Sequence, residues 1–133
     1  MLLEVIAAIA VVALGLTAFA SGIPVAALAV NEGAQLSTAT FLAAARMEEI
    51  RGAQWNAGFA GLLFPDEAAL PDPYARYARQ VRMVDCGVPP GCGAITSPLL
   101  RQITVTVAYR PVTALGVATD AKTVSLTTLA TPR

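Results

Sequence analysis

The sequence predicts an α+β fold: one long N-terminal α-helix, hydrophobic in its first half and amphipathic in its second, packed on a small antiparallel β-sheet. Three observations predict it. Val5 to Asn31 is a run of 27 uncharged residues. From Leu36 onward, apolar residues recur at about 3.5-residue spacing, the period of a helix with one buried face. Beyond residue 75, three segments alternate apolar and polar side chains with period two and are rich in β-branched residues.

The totals set the scale. At 133 residues the chain has room for one domain plus an anchor or tail. Nine basic and nine acidic side chains cancel, so no global field draws it to nucleic acid or acidic lipid. Apolar residues make up 56 %, above the usual range, and Leu2 to Val30 holds much of the excess. There is no histidine, which removes Ser-His and Cys-His nucleophile pairs, His-ligated metals and the common general base near neutral pH. Two cysteines do not supply the four ligands of a structural zinc site. The globular part offers no nucleophile–base pair or metal set, so a non-enzymatic protein without cofactors is expected.

The apolar run is the first element, residues 1–30. As a helix, 27 residues reach roughly 40 Å, enough to cross a hydrocarbon layer of about 30 Å. A domain this small could not surround a core helix of that length. A secretory signal peptide is the competing reading, with "AFAS" offering a small-x-small cleavage pattern ending at Ala20. Against it, the basic n-region is missing, an acid stands in its place, and the run continues through Ile23 to Val30. An ordinary single-span anchor explains the length but not Glu4, because a carboxylate inside hydrocarbon costs about 2.5–3.5 kcal/mol. Such an acid calls for a partner, and the nearest cation is an α-amino group, the chain's own or a neighbouring copy's.

"LLEVIAAIAVVALGL" resembles the N-terminus of mature type IV pilins and of the pseudopilins of type II secretion systems, where a methylated first residue, a short apolar stretch and a glutamate precede a long apolar helix. Glu4 matches that glutamate, although the family usually has it fifth. Either a first residue precedes Met1 in the mature chain, or Met1 is that residue and one position is deleted. "AARMEEIRGAQW" is similar to the helix end of minor pilins and small pseudopilins, and the likeness covers about the first 55 residues.

The resemblance implies a helix that spans the bacterial inner membrane before assembly and packs in the core of a helical homopolymer afterwards. Glu4 would then pair with the N-terminal amine at Met1 of a neighbour. It also implies a prepilin peptidase and an inner-membrane assembly platform as partners, and a cell-surface pilus or a periplasmic pseudopilus as destination. Adhesion, twitching motility, DNA uptake and secretion are the activities such filaments serve. The rival from another class is a single-span anchored binding module, which predicts a monomer or small oligomer and no dependence on Glu4.

Gly15, Gly22 and Pro24 interrupt the apolar run. Pro24 has no N–H for the carbonyl of Ala20 and crowds it. One reading is a tolerated kink. The resemblance adds another, that residues 15–24 lose helical hydrogen bonding on assembly and lengthen, because extended chain rises more per residue than helix.

The head follows, residues 31–133. The amphipathic helix is expected over residues 31–55, continuous with the span, with Leu36, Ala39 or Thr40, Ala43, Met47 and Ile50 facing the core and Arg46, Glu48, Glu49 and Arg51 elsewhere. Trp55 reads as core, and Glu48 and Glu49 as either solvated or subunit salt-bridge partners. Residues 56–75, rich in Gly, Pro and Asp, read as a loop with a short helical turn at Asp66–Leu70. Its Phe59, Leu62, Leu63 and Phe64 are too apolar for solvent and should pack on the domain or on a neighbour.

Strands are expected at residues 76–84, 101–110 and 122–130, forming an antiparallel meander on the helix. In the second, Ile103, Val105, Val107 and Tyr109 share one face. "PVTALGVATD" reads as a turn between the last two strands. Arg76, Arg79 and Arg82 admit a DNA-contact reading, set against plain exposed charge on an edge strand; no aromatic stacking set accompanies them. Cys86 and Cys92 flank "GVPPG", a Gly-Pro turn able to bring the two within reach of a disulfide, which is expected here over two free thiols.

Overall fold

A computed structural model describes residues 1–53, 64–89, 91–93, 95–113 and 116–131. It has the α+β arrangement: a long helix against a small antiparallel sheet. Helix α1 runs Leu2–Gly52 without a break, through Pro24 and across Asn31. Ala53 turns to extended geometry and its N–H caps the carbonyl of Glu49. Trp55, Phe59, Leu62 and Leu63 lie outside the described residues.

Five strands follow: β1 (Tyr77–Asp85), β2 (Arg101–Tyr109), β3 (Val112–Thr113), β4 (Gly116–Val117) and β5 (Lys122–Ala130). The main sheet has the order β1-β2-β5, antiparallel throughout. The segment expected to be a plain turn carries a small hairpin, β3–β4. Its two-residue strands are too short to show a period-two pattern.

Only the second half of α1 is buried. Ala39, Leu42, Ala43, Arg46, Met47 and Ile50 face the sheet. Leu36, expected inside, is 48 % exposed, because the sheet's face begins about one turn later. Thr40 is exposed, so of the pair considered it is Ala39 that faces inward. Opposite lie Ile103, Val105, Val107 and Tyr109 of β2, with Val81 of β1 beside them. Phe64 and Leu70 close the core. Burying an Ile or Val of this kind is worth about 1.5–3 kcal/mol. On the sheet's outer face, hydroxyl pairs Thr104–Thr127 and Thr106–Ser125 tie β2 to β5.

The segment expected to make a helical turn at Asp66–Leu70 is extended instead. Glu67 exchanges two backbone hydrogen bonds with Arg79, and the N–H of Leu70 donates to Tyr77. This lines the outer edge of β1, satisfying main-chain groups that a helical turn would leave on an open edge. Phe64 is buried, 6 % exposed.

Cys86 and Cys92 form a disulfide, with Cα atoms 4.8 Å apart. Two glycines shape its loop. A Cβ on Gly87 would stand 2.6 Å from the Cα of Pro98, and Gly91 adopts φ +74°, which favours a residue without Cβ.

Candidate functional site

The chain's most distinctive feature is the half of α1 that the head leaves bare. Every residue from Met1 to Ala34 is exposed, including Leu3, Ile6, Ile9, Leu14, Phe19 and Val25. Water tolerates scattered apolar side chains, not a continuous rod of them. The helix is long and apolar enough to cross a membrane. Leucine, valine and isoleucine supply that apolarity, while Thr17 and Ser21 fold their hydroxyls back onto carbonyls of the preceding turn and so carry no unsatisfied donor.

Glu4 sits in the first turn, beyond Met1 as N-cap. A carboxylate there complements the positive end of the helix dipole, worth about 0.3–1 kcal/mol at an exposed site. Counting about 100° per residue around the axis, the residues within about 60° of Glu4 are mainly small, Ala7, Ala8, Gly15, Ala18, Gly22, Ala26 and Ala29, with Val11 among them and Phe19 and Val25 at the edges. That face is therefore mainly small side chains, with an acid at its head. Nothing lies within 4 Å of a Cβ built on Gly15 or Gly22, so no contact inside the chain requires glycine there. Small residues on a membrane helix let a second helix approach closely.

Where the bare half meets the head, a polar clamp holds the two together. The side-chain amide of Gln35 donates to the carbonyl of Val112 and accepts from its N–H, at 3.2 and 3.0 Å. Asn31 donates to the same carbonyl at 3.2 Å. Glu32 pairs with Lys122 at the start of β5. The hydroxyl of Tyr77 reaches the carbonyl of Gln35. These contacts join residues 42 to 90 positions apart in the chain, and no local pattern in the sequence announces them.

The head's charges are mostly spent internally. Arg46, expected outside, is 8 % exposed. It reaches Glu49 at 2.7 Å and Glu67 at 3.8 Å, with its guanidinium 4.9 Å from the Phe64 ring centroid. Its long stem fills core space while the ring and two carboxylates satisfy the charge. Arg79 also binds Glu67, at 2.6 Å. Strand alternation turns Arg79 to the helix side, whereas Arg82 faces outward on Asp66 and Arg76 precedes the strand. The three arginines therefore share no face and form no basic stripe. The hydrogen bond from Arg82 holds the Asp66 carboxyl below the usual carboxylate range. Glu48 pairs with Arg51 one turn on.

At the base of the head, Tyr109 is buried and its hydroxyl has no hydrogen-bond partner. Burial pushes its pKa up, with the neighbouring Tyr77 adding to the effect. Among the described residues no group of three or more Cys, Asp or Glu is placed to hold a metal ion.

The structure thus puts Met1, Glu4, Gly15, Gly22 and Pro24 together on one exposed rod, and Cys86 and Cys92 in a bond at the far end of the head. The clamp of Asn31, Glu32, Gln35 and Lys122 is the part that sequence reasoning missed. No protein-family model, curated protein or solved structure matches the chain.

Proposed function

We propose that the chain is a structural subunit of a type IV pilus-like filament, held in the bacterial inner membrane by the first half of α1 and assembled through that same surface. The observation that carries the reading is the bare apolar rod with a single acid at its tip and mainly small residues down the acid's face. In an oligomer of such rods, helices approach along that face. The carboxylate of Glu4 then meets the N-terminal amine of a neighbour. A charge pair at about 4 Å is worth about 4 kcal/mol at an effective dielectric near 20, less the desolvation of both ions. Its main effect is on register, since a copy docked one turn away leaves a buried charge unpaired.

The head supports the same reading by what it leaves alone. Among the described residues it grips α1 only from Asn31 onward, which leaves the rod to be covered by other copies. After extraction from the membrane the filament would lie on the cell surface, or in the periplasm for a secretion pseudopilus.

The test is Glu4→Gln in cells that carry the assembly machinery, with sheared filaments counted by electron microscopy and identified by peptide mass. Filaments fall to a small fraction of wild type, while membrane insertion and head stability are unchanged, because Glu4 touches nothing in the head. Wild-type filament numbers from Glu4→Gln would overturn the assignment.

A further inference from the structure

The base of the head holds a groove of about 710 Å³ between α1 and the start of β1. Arg76 and Arg110 line it, together with Tyr74, Tyr77 and Tyr109. Tyr77 and Tyr109 are cross-strand partners, so Arg76 and Arg110 follow at the same end of the sheet. All other arginines and lysines of the described head are in ion pairs; these two are in none. Asp72 also lines the groove, leaving it one net positive charge. Tyr109 forms part of the wall.

Both arginines border a second groove of about 410 Å³, whose lining includes Ala78, Ala108 and Val117. A site with two free guanidiniums between a tyrosine-lined cleft and a small-residue apolar cleft suits an amphipathic anion. Guanidinium forks match phosphate oxygens, tyrosines suit the layer where hydrocarbon gives way to water, and the apolar cleft suits the first carbons of an acyl chain.

Position selects the source of that anion. The groove is lined by Asn31, Gln35 and Thr38, which follow directly on the apolar run. Those eight residues of helix cover about 12 Å, against a headgroup layer of about 5–7 Å on each side of the hydrocarbon. An apolar stretch of roughly 40 Å in a layer of about 30 Å tilts or sinks, which brings the base of the head down to the headgroups.

We infer that Arg76 and Arg110 form a binding site for the phosphate headgroup of an anionic phospholipid, which seats the head on the membrane. The inference rests on the membrane reading of α1 but not on filament assembly.

The experiment uses the full chain, isotope-labelled, in phosphate-free maltoside micelles. Arginine side-chain and Tyr77 amide resonances are followed during titration with short-chain phosphatidylglycerol, phosphatidylcholine or inorganic phosphate. Phosphatidylglycerol gives saturable shifts at Arg76 and Arg110, with phosphatidylcholine and inorganic phosphate at least tenfold weaker. Each arginine contributes about fivefold, so Arg76→Gln with Arg110→Gln weakens binding on the order of 25-fold. Both side chains are in no ion pair, and the amide resonances of the core report that the double variant stays folded. No shift with phosphatidylglycerol, equal binding of inorganic phosphate, or undiminished binding by the double variant would each overturn the site. Flotation with phosphatidylcholine liposomes in high salt separates the premises: a chain that does not float refutes the membrane span, and one that floats without the shifts refutes only the headgroup site.

Discussion

Replacing Arg46 separates packing from charge in the core of the head. Its side chain is 9 % exposed and touches Glu49, Glu67 and the Phe64 ring. Arg46→Ala removes two buried methylenes, Cγ and Cδ, worth about 0.8 kcal/mol each, and a cation–π contact worth about 0.5–1 kcal/mol. The loss comes to about 2.3 kcal/mol. Neither carboxylate is stranded by it. Glu67 keeps Arg79 at 2.6 Å, and Glu49 is 58 % exposed and returns to water. Arg46→Met keeps most of the stem and deletes a buried Nε that has no partner. Replacing a buried ion by an apolar side chain of similar length is often neutral or stabilising, so this variant stays within about 1 kcal/mol of wild type. Urea unfolding in maltoside micelles, followed by tyrosine near-ultraviolet circular dichroism, measures both. With a slope of about 1.5 kcal/mol/M, Arg46→Ala lowers the midpoint by about 1.5 M. If Arg46→Met falls as far as Arg46→Ala, the charge rather than the stem stabilises the head, and the packing argument is wrong.

Two further outcomes follow from the head. Opening the Cys86–Cys92 bond by a double Ser substitution releases a loop with a sequence separation of 6 and costs roughly 2.4 kcal/mol in the chain-entropy model, read as a lower melting temperature without loss of the sheet's circular dichroism signal. The pH dependence belongs to Tyr109: its pKa is raised in the folded state, so its neutral form favours folding fully below pH about 10 and stability falls as pH rises through the raised value. Tyr109→Phe removes that alkaline loss and, by deleting an unpartnered hydroxyl, is neutral to mildly stabilising at pH 7; an unchanged alkaline melting profile in Tyr109→Phe would place the titration elsewhere.

Several features were legible because they are written in local pattern. The period-two alternation of Ile103, Val105, Val107 and Tyr109 is a direct image of one sheet face, and the structure buries all four. Strands expected at residues 76–84, 101–110 and 122–130 lie within one residue of β1, β2 and β5. The turn "GVPPG" put Cys86 and Cys92 within bonding reach. Arg46 and Leu36 were misplaced for one reason: periodicity gives the direction of a face, not where along the helix the partner surface starts or what lines it. Arg46 goes inside because Phe64 and Glu67 arrive from elsewhere in the chain to receive it.

The sequence by itself determined that a long uncharged helix carries one acid near its start, that three alternating segments build a sheet, and that the chain lacks histidine. Those are properties of neighbours along the chain, set by backbone period and side-chain polarity. The tertiary structure alone decided which charges are neutralised and where the head takes hold of the helix. It sets Gln35 against Val112 and Glu32 against Lys122, and among the described residues it leaves Arg76 and Arg110 without an ion-pair partner. Such pairings depend on distances between residues far apart in sequence, and only the folded chain's packing fixes those distances.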